Sequence, residues 1–289
     1  MASAITSHKI QGQTVAKPNP MVIDIETAFQ VGMVYVMLSR VCSLQQLFIL
    51  NKVNRDKIKV CPAVLKEYQR MNKASVNHNP SSWNNTEKLG TRICSFNVRS
   101  LNKHIEDVRS DNIIIQSDII CLQETWLEKG IDNELYKMTG YKLHLNSQGR
   151  GKGMAIYMKE EKFKHIKDVS TPNLQISLMS SKEVDVITIY KSQEESSIST
   201  RDHIKAIVNP KKTTLIVGDF NFCYLTKTNI VTEHLRKHKF IQLVKDATHI
   251  EGSLLDQAYF RQIGKTEPPI IEQFSNYYSD HDTITVLIP

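Results

Sequence analysis

Residues 215–221, with the sequence Leu-Ile-Val-Gly-Asp-Phe-Asn, constrain the fold of this chain more than any other stretch. Three consecutive apolar residues are typical of a buried strand, and Gly218 would let the backbone turn where that strand ends. Asp219 and Asn221 are two residues apart, which predicts that both side chains lie on one face of the strand end. A carboxylate can accept a proton from water, and an amide can orient the same water. The alternative interpretation is a strand-to-turn junction with no chemical role.

Other apolar stretches also end in, or carry, polar groups suited to phosphate chemistry. Any one of these groups alone is usually a solvated surface residue, but catalytic groups collect at the strand ends of rigid sheets. The strands alternate with occasional helices, which predicts an α/β protein of layered sheets covered by helices. The polar residues in question are Asn97, Glu124, Tyr190 and Asp256, together with Asp280 and His281 before the last apolar run.

Residues 72–89 are rich in asparagine and serine and predict a linker. They would separate a front segment, residues 1–71, from a back domain, residues 90–289, which is long enough to bury its own core. The chain carries a net charge of +7. The front segment contributes most of this excess, with 9 basic and 4 acidic residues. A basic segment of this kind permits contact with nucleic acid.

The composition argues against several classes of protein. No apolar run approaches the roughly 20 residues that a membrane span needs, so we expect no membrane association. No signal-peptide pattern opens the chain, so we expect a protein that is not secreted. The five cysteines are widely spaced, and none forms a Cys-x-x-Cys pair, so the cysteines indicate neither a disulfide framework nor a zinc site.

The ordered motifs between residues 91 and 289 resemble those of the endonuclease/exonuclease/phosphatase family. This is the family of apurinic-type nucleases, retrotransposon endonucleases and DNase I. The motifs are Ser-Phe-Asn, Leu-Gln-Glu-Thr, Ile-Tyr, Gly-Asp-Phe-Asn, Leu-Asp and Ser-Asp-His. The resemblance implies a four-layered α/β/β/α sandwich and metal-dependent hydrolysis of phosphate esters.

The same resemblance assigns a metal site. Glu124 would hold Mg²⁺, with Mn²⁺ as the alternative ion, because Mg²⁺ prefers carboxylate oxygen. Asp280 is the second candidate near the metal. Many apurinic-type members have an aspartate two residues after the first asparagine, and this chain has Arg99 there. An arginine at that position could instead contact the nucleic-acid backbone.

The remaining motif residues receive catalytic roles by this resemblance. Asp219 would activate or position the attacking water, and Asn221 would orient it. His281 would contact the scissile phosphate, with Asp256 holding the imidazole in the required tautomer. Two further residues, Asn97 and Tyr190, would donate hydrogen bonds to phosphate oxygens.

Residues 2–71 resemble the last two motifs of Pif1-type helicases, including those carried by Helitron-class transposons. The two motifs are Ile-Thr-Ser-His-Lys-Ile-Gln-Gly-Gln-Thr from residue 5 and Tyr-Val-Met-Leu-Ser-Arg-Val from residue 35. By this resemblance Arg40 would be the arginine finger on the ATP γ-phosphate. Gln11 and Lys9 would lie near the nucleotide and the DNA strand. The resemblance implies a small α/β helicase fragment ahead of the sandwich.

No Gly-x-x-x-x-Gly-Lys-[Ser/Thr] loop occurs in the sequence, so no phosphate cradle accompanies Arg40. We therefore expect no use of ATP and interpret the front segment as an inactive helicase remnant or a truncated gene model.

Together these features predict a Mg²⁺-dependent DNA endonuclease of a Helitron-like mobile element, acting in the nucleus. The helicase-like segment is the main argument for DNA, because the family fold also hosts phosphatases and RNA nucleases. A phosphatase or RNA nuclease of the same fold, and a non-catalytic nucleic-acid-binding remnant, stay open as alternatives. The sequence sets neither the cleavage-site preference nor the oligomeric state.

Overall fold

A computed structural model describes residues 6–66, 90–159, 161–226, 228–264 and 267–289. The chain forms two compact units, Met1–Asn72 (the front unit) and Lys73–Pro289 (the back unit). The linker expected at residues 72–89 lies outside the described residues, so its boundaries stay a prediction. Among the described residues, no helix combines the length and the apolar character that crossing a membrane requires.

The front unit is small and contains both helix and strand. Two short strands, β1 (Met21–Ile23) and β2 (Leu47–Ile49), pair in parallel. Its helices include α1 (Ser7–Ile10) and α2 (Met33–Leu38), and single 3-10 turns cover Leu44–Gln46 and Arg55–Lys57. The core of this unit is formed by four residues, Ile23, Ile25, Ala28 and Val34.

Two six-stranded sheets form the centre of the back unit. The first sheet contains, in spatial order, β13 (Ile270–Ser275), β14 (Asp282–Ile288), β3 (Thr91–Asn97), β4 (Ile119–Gln123), β6 (Met154–Lys159) and β5 (Tyr141–Asn146). The second contains β11 (Ile241–Gln242), β12 (Asp256–Arg261), β10 (Thr213–Asp219), β9 (Val184–Lys191), β8 (Leu174–Ser180) and β7 (Lys164–Ser170). Parallel pairing joins β3 to β4 and β9 to β10, and the other neighbours are antiparallel.

Alternation along the strands gives each sheet two buried faces. On β4, Ile119 and Cys121 point into the core between the sheets, where they join Val186 and Val217 of the second sheet. The intervening residues of β4, Ile120 and Leu122, pack on the opposite face. Because side chains alternate along a strand, a sheet with two buried faces needs a nearly continuous apolar run.

Helices cover both outer faces. Helix α3 (Leu101–Ser110) packs on the first sheet through Leu101, Ile105 and Val108, which lie on one helical face. Helices α4 (Ser197–Ile207) and α5 (Ile230–Lys237) cover the second sheet through Ile204, Ile207, Val231 and Leu235. Single 3-10 turns cover Ile114–Gln116 and Asn133–Tyr136. The resulting four-layered α/β/β/α sandwich confirms the fold class that the sequence predicted.

Gly218 has a different role from the one expected. It lies inside β10, not at a turn, with φ of 145°. A Cβ at this position would lie 2.0 Å from the carbonyl oxygen of Ile189 on the neighbouring strand. Glycine is therefore required by the close approach of the two parallel strands. The prediction of a turn at Gly218 was wrong because the chain continues as a strand to Asp219.

Candidate active site

The polar residues identified in the sequence meet at one end of the two sheets. Asp219 is the last residue of β10, where it lies opposite Tyr190 of β9 and Asp256 of β12. In the first sheet Asn97 ends β3, beside Gln123 at the end of β4. The strand ends therefore supply a rigid base on which side chains from both sheets converge.

Asn97 joins the two sheets at this site. Its side-chain amide nitrogen donates to Oε1 of Glu124 at 2.9 Å and to Oδ2 of Asp219 at 3.0 Å. Asn97 and Asp219 are both fully buried, whereas Glu124 is partly exposed. One amide thus sets the spacing between two carboxylates that arise from different sheets.

Asn221 reaches Asp219 through a turn and not through strand alternation. Its backbone N–H donates to Oδ1 of Asp219 at 2.9 Å, and its side-chain amide donates to Oδ2 at 3.2 Å. Asn221 lies beyond the end of β10 and adopts a left-handed conformation, with φ of 48°. The pairing expected from the sequence is present, but its expected geometry, period-two alternation, was wrong.

The pKa of the Asp219 carboxyl lies above its usual range. Burial raises the pKa of Asp219, and the nearby Asp256 carboxylate raises it further, while His281 and the hydrogen bonds from Asn221 and Asn97 oppose this. A carboxyl whose pKa moves toward neutrality can accept a proton more readily than an ordinary aspartate. Such a group is suited to general-base chemistry.

His281 forms a buried pair with Asp256. Nδ1 of the imidazole lies 2.7 Å from Oδ2 of Asp256, and both side chains are almost fully buried. Burial lowers the pKa of His281, but the charge and hydrogen bond of Asp256 act more strongly, and the pKa rises to about 10. The imidazole is therefore positively charged at neutral pH, with Nε2 as a second N–H donor.

Thr248 positions Asp256 and was missed in the sequence. Its hydroxyl donates to Oδ2 of Asp256 at 2.8 Å and accepts from the Asp256 backbone N–H at 2.9 Å. Thr248 is buried in a loop between β11 and β12. No local sequence pattern predicts that a threonine contacts an aspartate eight residues later in the chain.

Asp280 is held by two basic residues. Its Oδ2 pairs with the guanidinium of Arg99 and lies 3.4 Å from Nε2 of His249. The ring of His249 also meets that of His281 edge-on, with centroids 4.8 Å apart. Sequence reasoning did not identify His249, which reaches the site because it bridges to His281 in the backbone.

Tyr190 lies against the carboxylates but donates elsewhere. Its hydroxyl donates to the backbone oxygen of Gly151 at 2.8 Å. Burial raises the pKa of Tyr190, and the Glu124 and Asp219 carboxylates raise it further. The phenol is therefore protonated and remains a hydrogen-bond donor at neutral pH.

A polar bridge lies beneath the site, between the sheets. The side-chain amide of Gln123 donates to the hydroxyls of Ser95 at 3.1 Å and Thr188 at 3.0 Å. Thr188 belongs to β9 of the second sheet, and all three residues are buried. Directional contacts of this type fix how one sheet lies on the other.

Backbone strain is concentrated around the site. Of the non-glycine residues with positive φ in the described part of the chain, five belong to the site or its edges. Left-handed backbone costs free energy for residues with a Cβ, so it persists where the surrounding contacts enforce it. These residues are Arg99, Ser100, Glu124, Trp126 and Asn221.

The donor set suits a divalent cation. Oε1 of Glu124 accepts one N–H from Asn97, and Oε2 accepts one from Trp126 at 3.2 Å, so each oxygen keeps free lone pairs. Oδ1 of Asp280 is buried and, among the described residues, has no hydrogen-bond partner. Carboxylate oxygens are the ligands that Mg²⁺ and Mn²⁺ prefer. Glu124 and Asp280 each therefore offer an oxygen ligand of the type that a hard divalent metal ion prefers.

The residues predicted in the front segment lie within the front unit. Arg40 donates to the backbone oxygens of Val36 at 3.0 Å and Gln13 at 3.1 Å, and to the Ser39 hydroxyl at 2.8 Å. Lys9 and Gln11 are exposed, at and after the end of α1. In this structure the guanidinium of Arg40 stabilises its own unit.

The candidate active site combines buried carboxylates, amides and an imidazole–carboxylate pair at the end of a four-layered sandwich. This combination of fold and site is typical of the class of phosphate-ester hydrolases. The model of the Endonuclease/Exonuclease/phosphatase family matches residues 94–281, and the chain belongs to this family. Its members hydrolyse phosphodiesters and generally depend on a divalent metal.

Solved structures share the fold at low sequence identity. The endonuclease domain of TRAS1, a telomere-specific non-LTR retrotransposon, has a TM-score of 0.51 at 15% identity, covering 69% of this chain and 98% of that domain. An AP endonuclease from Archaeoglobus fulgidus has a TM-score of 0.51 at 17% identity, covering 68% and 99%. D. rerio TDP2, complexed with single-strand DNA product, has a TM-score of 0.51 at 14% identity, covering 70% and 100%. No curated protein sequence matches this chain significantly.

Proposed function

We propose that the back unit is a Mg²⁺-dependent DNA endonuclease. The observation that carries this proposal is the bridge from Asn97 to Glu124 and Asp219, with the charged His281–Asp256 pair at the same strand ends. This arrangement supports the proposal because Glu124 would hold a metal, Asp219 would act as the base and His281 would act as the cationic donor, and hydrolysis of a phosphodiester needs all three.

Glu124 and Asp280 would hold the metal, which when bound neutralises charge on the phosphate and polarises its oxygens. Mn²⁺ would be the alternative ion. Asp219 would take a proton from the attacking water, while Asn221 holds that water through its amide oxygen. Release of Asp280 from Arg99 would also free its second carboxylate oxygen, Oδ2, for the ion.

The donors around the phosphate would stabilise the charge that develops on its oxygens. His281 would donate from Nε2, since Nδ1 is engaged by Asp256. Asn97 and Tyr190 would donate as well, each by exchanging a present hydrogen bond for one to the substrate. We expect cleavage to leave a 3′-hydroxyl and a 5′-phosphate.

DNA is the proposed substrate for two reasons. The front segment resembles Pif1-type and Helitron helicases, which would place the nuclease in a mobile element that acts in the nucleus. The retrotransposon endonuclease domain and the DNA-bound TDP2 share the fold of the back unit. We propose that the front segment itself does not use ATP.

The test is incubation of the full chain with supercoiled plasmid and Mg²⁺, with RNA and an inositol phosphate assayed in parallel. We expect nicking that stops in EDTA, and little turnover of the other two substrates. Asp219→Asn should slow nicking by about 10² or more, because the base is lost. Asp202→Asn, the same chemical change on the outer helix α4, is the control and should cut at the parent rate.

Equal nicking by Asp219→Asn and the parent would overturn the mechanism, and nicking in EDTA would overturn the metal requirement. Faster turnover of RNA or the inositol phosphate would favour the alternative activities of this fold. Tight DNA binding without any turnover would identify a non-catalytic remnant.

A further inference from the structure

A second cluster of metal-ligating side chains lies away from the candidate active site. It consists of His144 on β5 with His165 and Asp168 on β7, and we name it the edge cluster. Strand β5 is the last strand of the first sheet, and β7 is the last strand of the second. The edge cluster therefore connects the edge strands of the two sheets, which Ser170 of β7 and Asn146 of β5 also join by a hydrogen bond of 3.0 Å.

A β-bulge brings His165 and Asp168 together. Side chains three residues apart point to opposite faces of a regular strand. The pairing of β7 with β8 shifts between His165 and Lys167, which inserts one extra residue at Ile166. Such an insertion re-aims the side chains that follow it, so His165 and Asp168 share one face.

The donor atoms of the edge cluster converge. Nε2 of His144 lies 2.9 Å from Oδ2 of Asp168, and Nε2 of His165 lies 3.0 Å from Oδ1. The ligand atoms of all three residues lie within 4.8 Å of one another. The two imidazole rings stack with centroids 3.7 Å apart, so both present the same edge to the carboxylate.

The carboxylate is oriented and ionised. The hydroxyl of Ser177 on β8 donates to Oδ1 of Asp168 at 2.6 Å. Burial raises the pKa of Asp168, but hydrogen bonds from His144, Ser177 and His165 outweigh it and lower the pKa to about 2. A ligand held by a neighbouring hydroxyl is typical of metal sites, where such contacts fix the orientation of the coordinating group.

The chemistry of these donors selects a class of metal. Two imidazole nitrogens and one carboxylate oxygen suit Zn²⁺ and related transition metals, whereas Mg²⁺ prefers a shell of oxygen ligands. The three side chains are each about a quarter exposed, at 23%, 29% and 30%, which leaves room for water as a fourth ligand. Binding would replace the contacts between the two imidazole nitrogens and Asp168 with bonds from all three side chains to one ion.

We propose that the edge cluster binds one transition-metal ion of the Zn²⁺ type, which clips β5 to β7 across the open edge of the sandwich. The ion is structural, because it links two sheets and none of its ligands belongs to the candidate active site. It is independent of the proposed nuclease activity.

The test uses the full chain, which is stripped of metal and then kept in excess Mg²⁺ so that Mg²⁺ occupies the candidate active site. Zn²⁺ is added, and the shift in Tm is measured for each variant against its own Mg²⁺-only value. Co²⁺ provides a second readout, because its visible absorption reports nitrogen ligation and tetrahedral geometry. We expect one equivalent to bind and to raise Tm.

Three variants and one control locate the ion. His144→Ala and Asp168→Asn should abolish the Zn²⁺ shift and the Co²⁺ absorption. Ser177→Ala should weaken binding by about 10-fold, as expected for a residue that only orients a ligand. The control is His238→Ala, directly after α5, which removes one member of a second pair of neighbouring histidine rings, His234 and His238, tilted with ring centroids 4.2 Å apart. It should keep the full response.

Two results would overturn the proposal. The first is a Zn²⁺-induced shift in Tm that is as large in His144→Ala as in the parent, or that is lost in His238→Ala. Either outcome would place the ion outside the edge cluster. The other is a parent protein that binds no Zn²⁺ or Co²⁺ in the presence of Mg²⁺, since His144, His165 and Asp168 then form hydrogen bonds only. If His144→Ala does not fold, His165→Asn tests the same ligand set.

Discussion

The two units bury their hydrophobic residues very differently. Among the described residues of the front unit, five hydrophobic side chains are buried and thirteen large ones are exposed. Among its described residues, the much larger back unit exposes only eight large ones and packs most of its buried hydrophobic residues into three clusters. The back unit has long strands with two buried faces, whereas the strands of the front unit contain three residues each. The front unit is so small that it buries too little apolar surface to be strongly stable by itself.

The two units also differ in the functional residues that they contain. The back unit contains both the core and the whole candidate active site. The front unit exposes apolar side chains of the kind that a partner would be expected to cover. We therefore expect substitutions in the back unit to have large effects and equivalent substitutions in the front unit to have small ones.

The largest expected difference concerns activity. Glu124→Ala should reduce plasmid nicking by about 10² or more, because the metal would lose its principal carboxylate, and raised Mg²⁺ should partly restore it. Arg40→Ala in the front unit should leave nicking unchanged. Initial rates at several Mg²⁺ concentrations provide the measurement. Loss of nicking in Arg40→Ala would show that the front unit takes part in cleavage.

A pair of phenylalanine substitutions compares the two cores. Phe96→Ala removes a fully buried ring and should lower the free energy of unfolding by about 3–5 kcal/mol. Phe48→Ala removes a ring that is 54% exposed and should change it by less than about 0.5 kcal/mol. Urea unfolding followed by fluorescence and circular dichroism gives both values. If both substitutions lowered the free energy of unfolding equally, Phe48 would have to be covered in solution.

Two glycine substitutions compare steric requirements. Gly218→Ala would force a Cβ against the Ile189 carbonyl oxygen and should cost about 3 kcal/mol. At Gly12, where φ is 82°, a Cβ would meet no atom within 4 Å, so Gly12→Ala should cost only about 1 kcal/mol of backbone strain. Thermal unfolding of both variants tests this order. A Gly218→Ala protein as stable as the parent would contradict the close approach of β9 and β10.

The smallest expected effect follows from removing the front unit. A chain of residues 90–289 should unfold cooperatively, with a Tm close to that of the back unit in the full protein, because its core is self-contained. It should also nick plasmid at nearly the parent rate. Differential scanning calorimetry of the two proteins makes the comparison. A broad, non-cooperative transition in the shorter chain would place the domain boundary elsewhere.

The sequence predicted the central strands and the residues at their ends because buried strands are continuous apolar runs. It did not predict β7, whose sequence Lys-His-Ile-Lys-Asp-Val-Ser is mostly exposed. An edge strand is held by backbone hydrogen bonds to one neighbour, and these leave little trace in side-chain composition. The bulge that aligns His165 with Asp168 was hidden for the same reason.

Contacts made through turns and loops were also beyond sequence reasoning. The motif identified Asp219 and Asn221, but the left-handed backbone that joins them depends on the surrounding structure. Thr248 and His249 lie in a loop, and they reach Asp256 and Asp280 only after the sheets have formed. Local patterns report which residues are polar, whereas their partners are fixed by tertiary packing.

The Asn97–Asp219 hydrogen bond has a consequence for folding kinetics. It joins residues 122 positions apart in the chain, one on each sheet. Contacts between such distant residues form late, because a long loop must close before they contribute any stability. Each sheet alone holds only part of the catalytic set. During refolding, enzymatic activity should therefore return with the docking of the two sheets and lag behind the recovery of secondary structure.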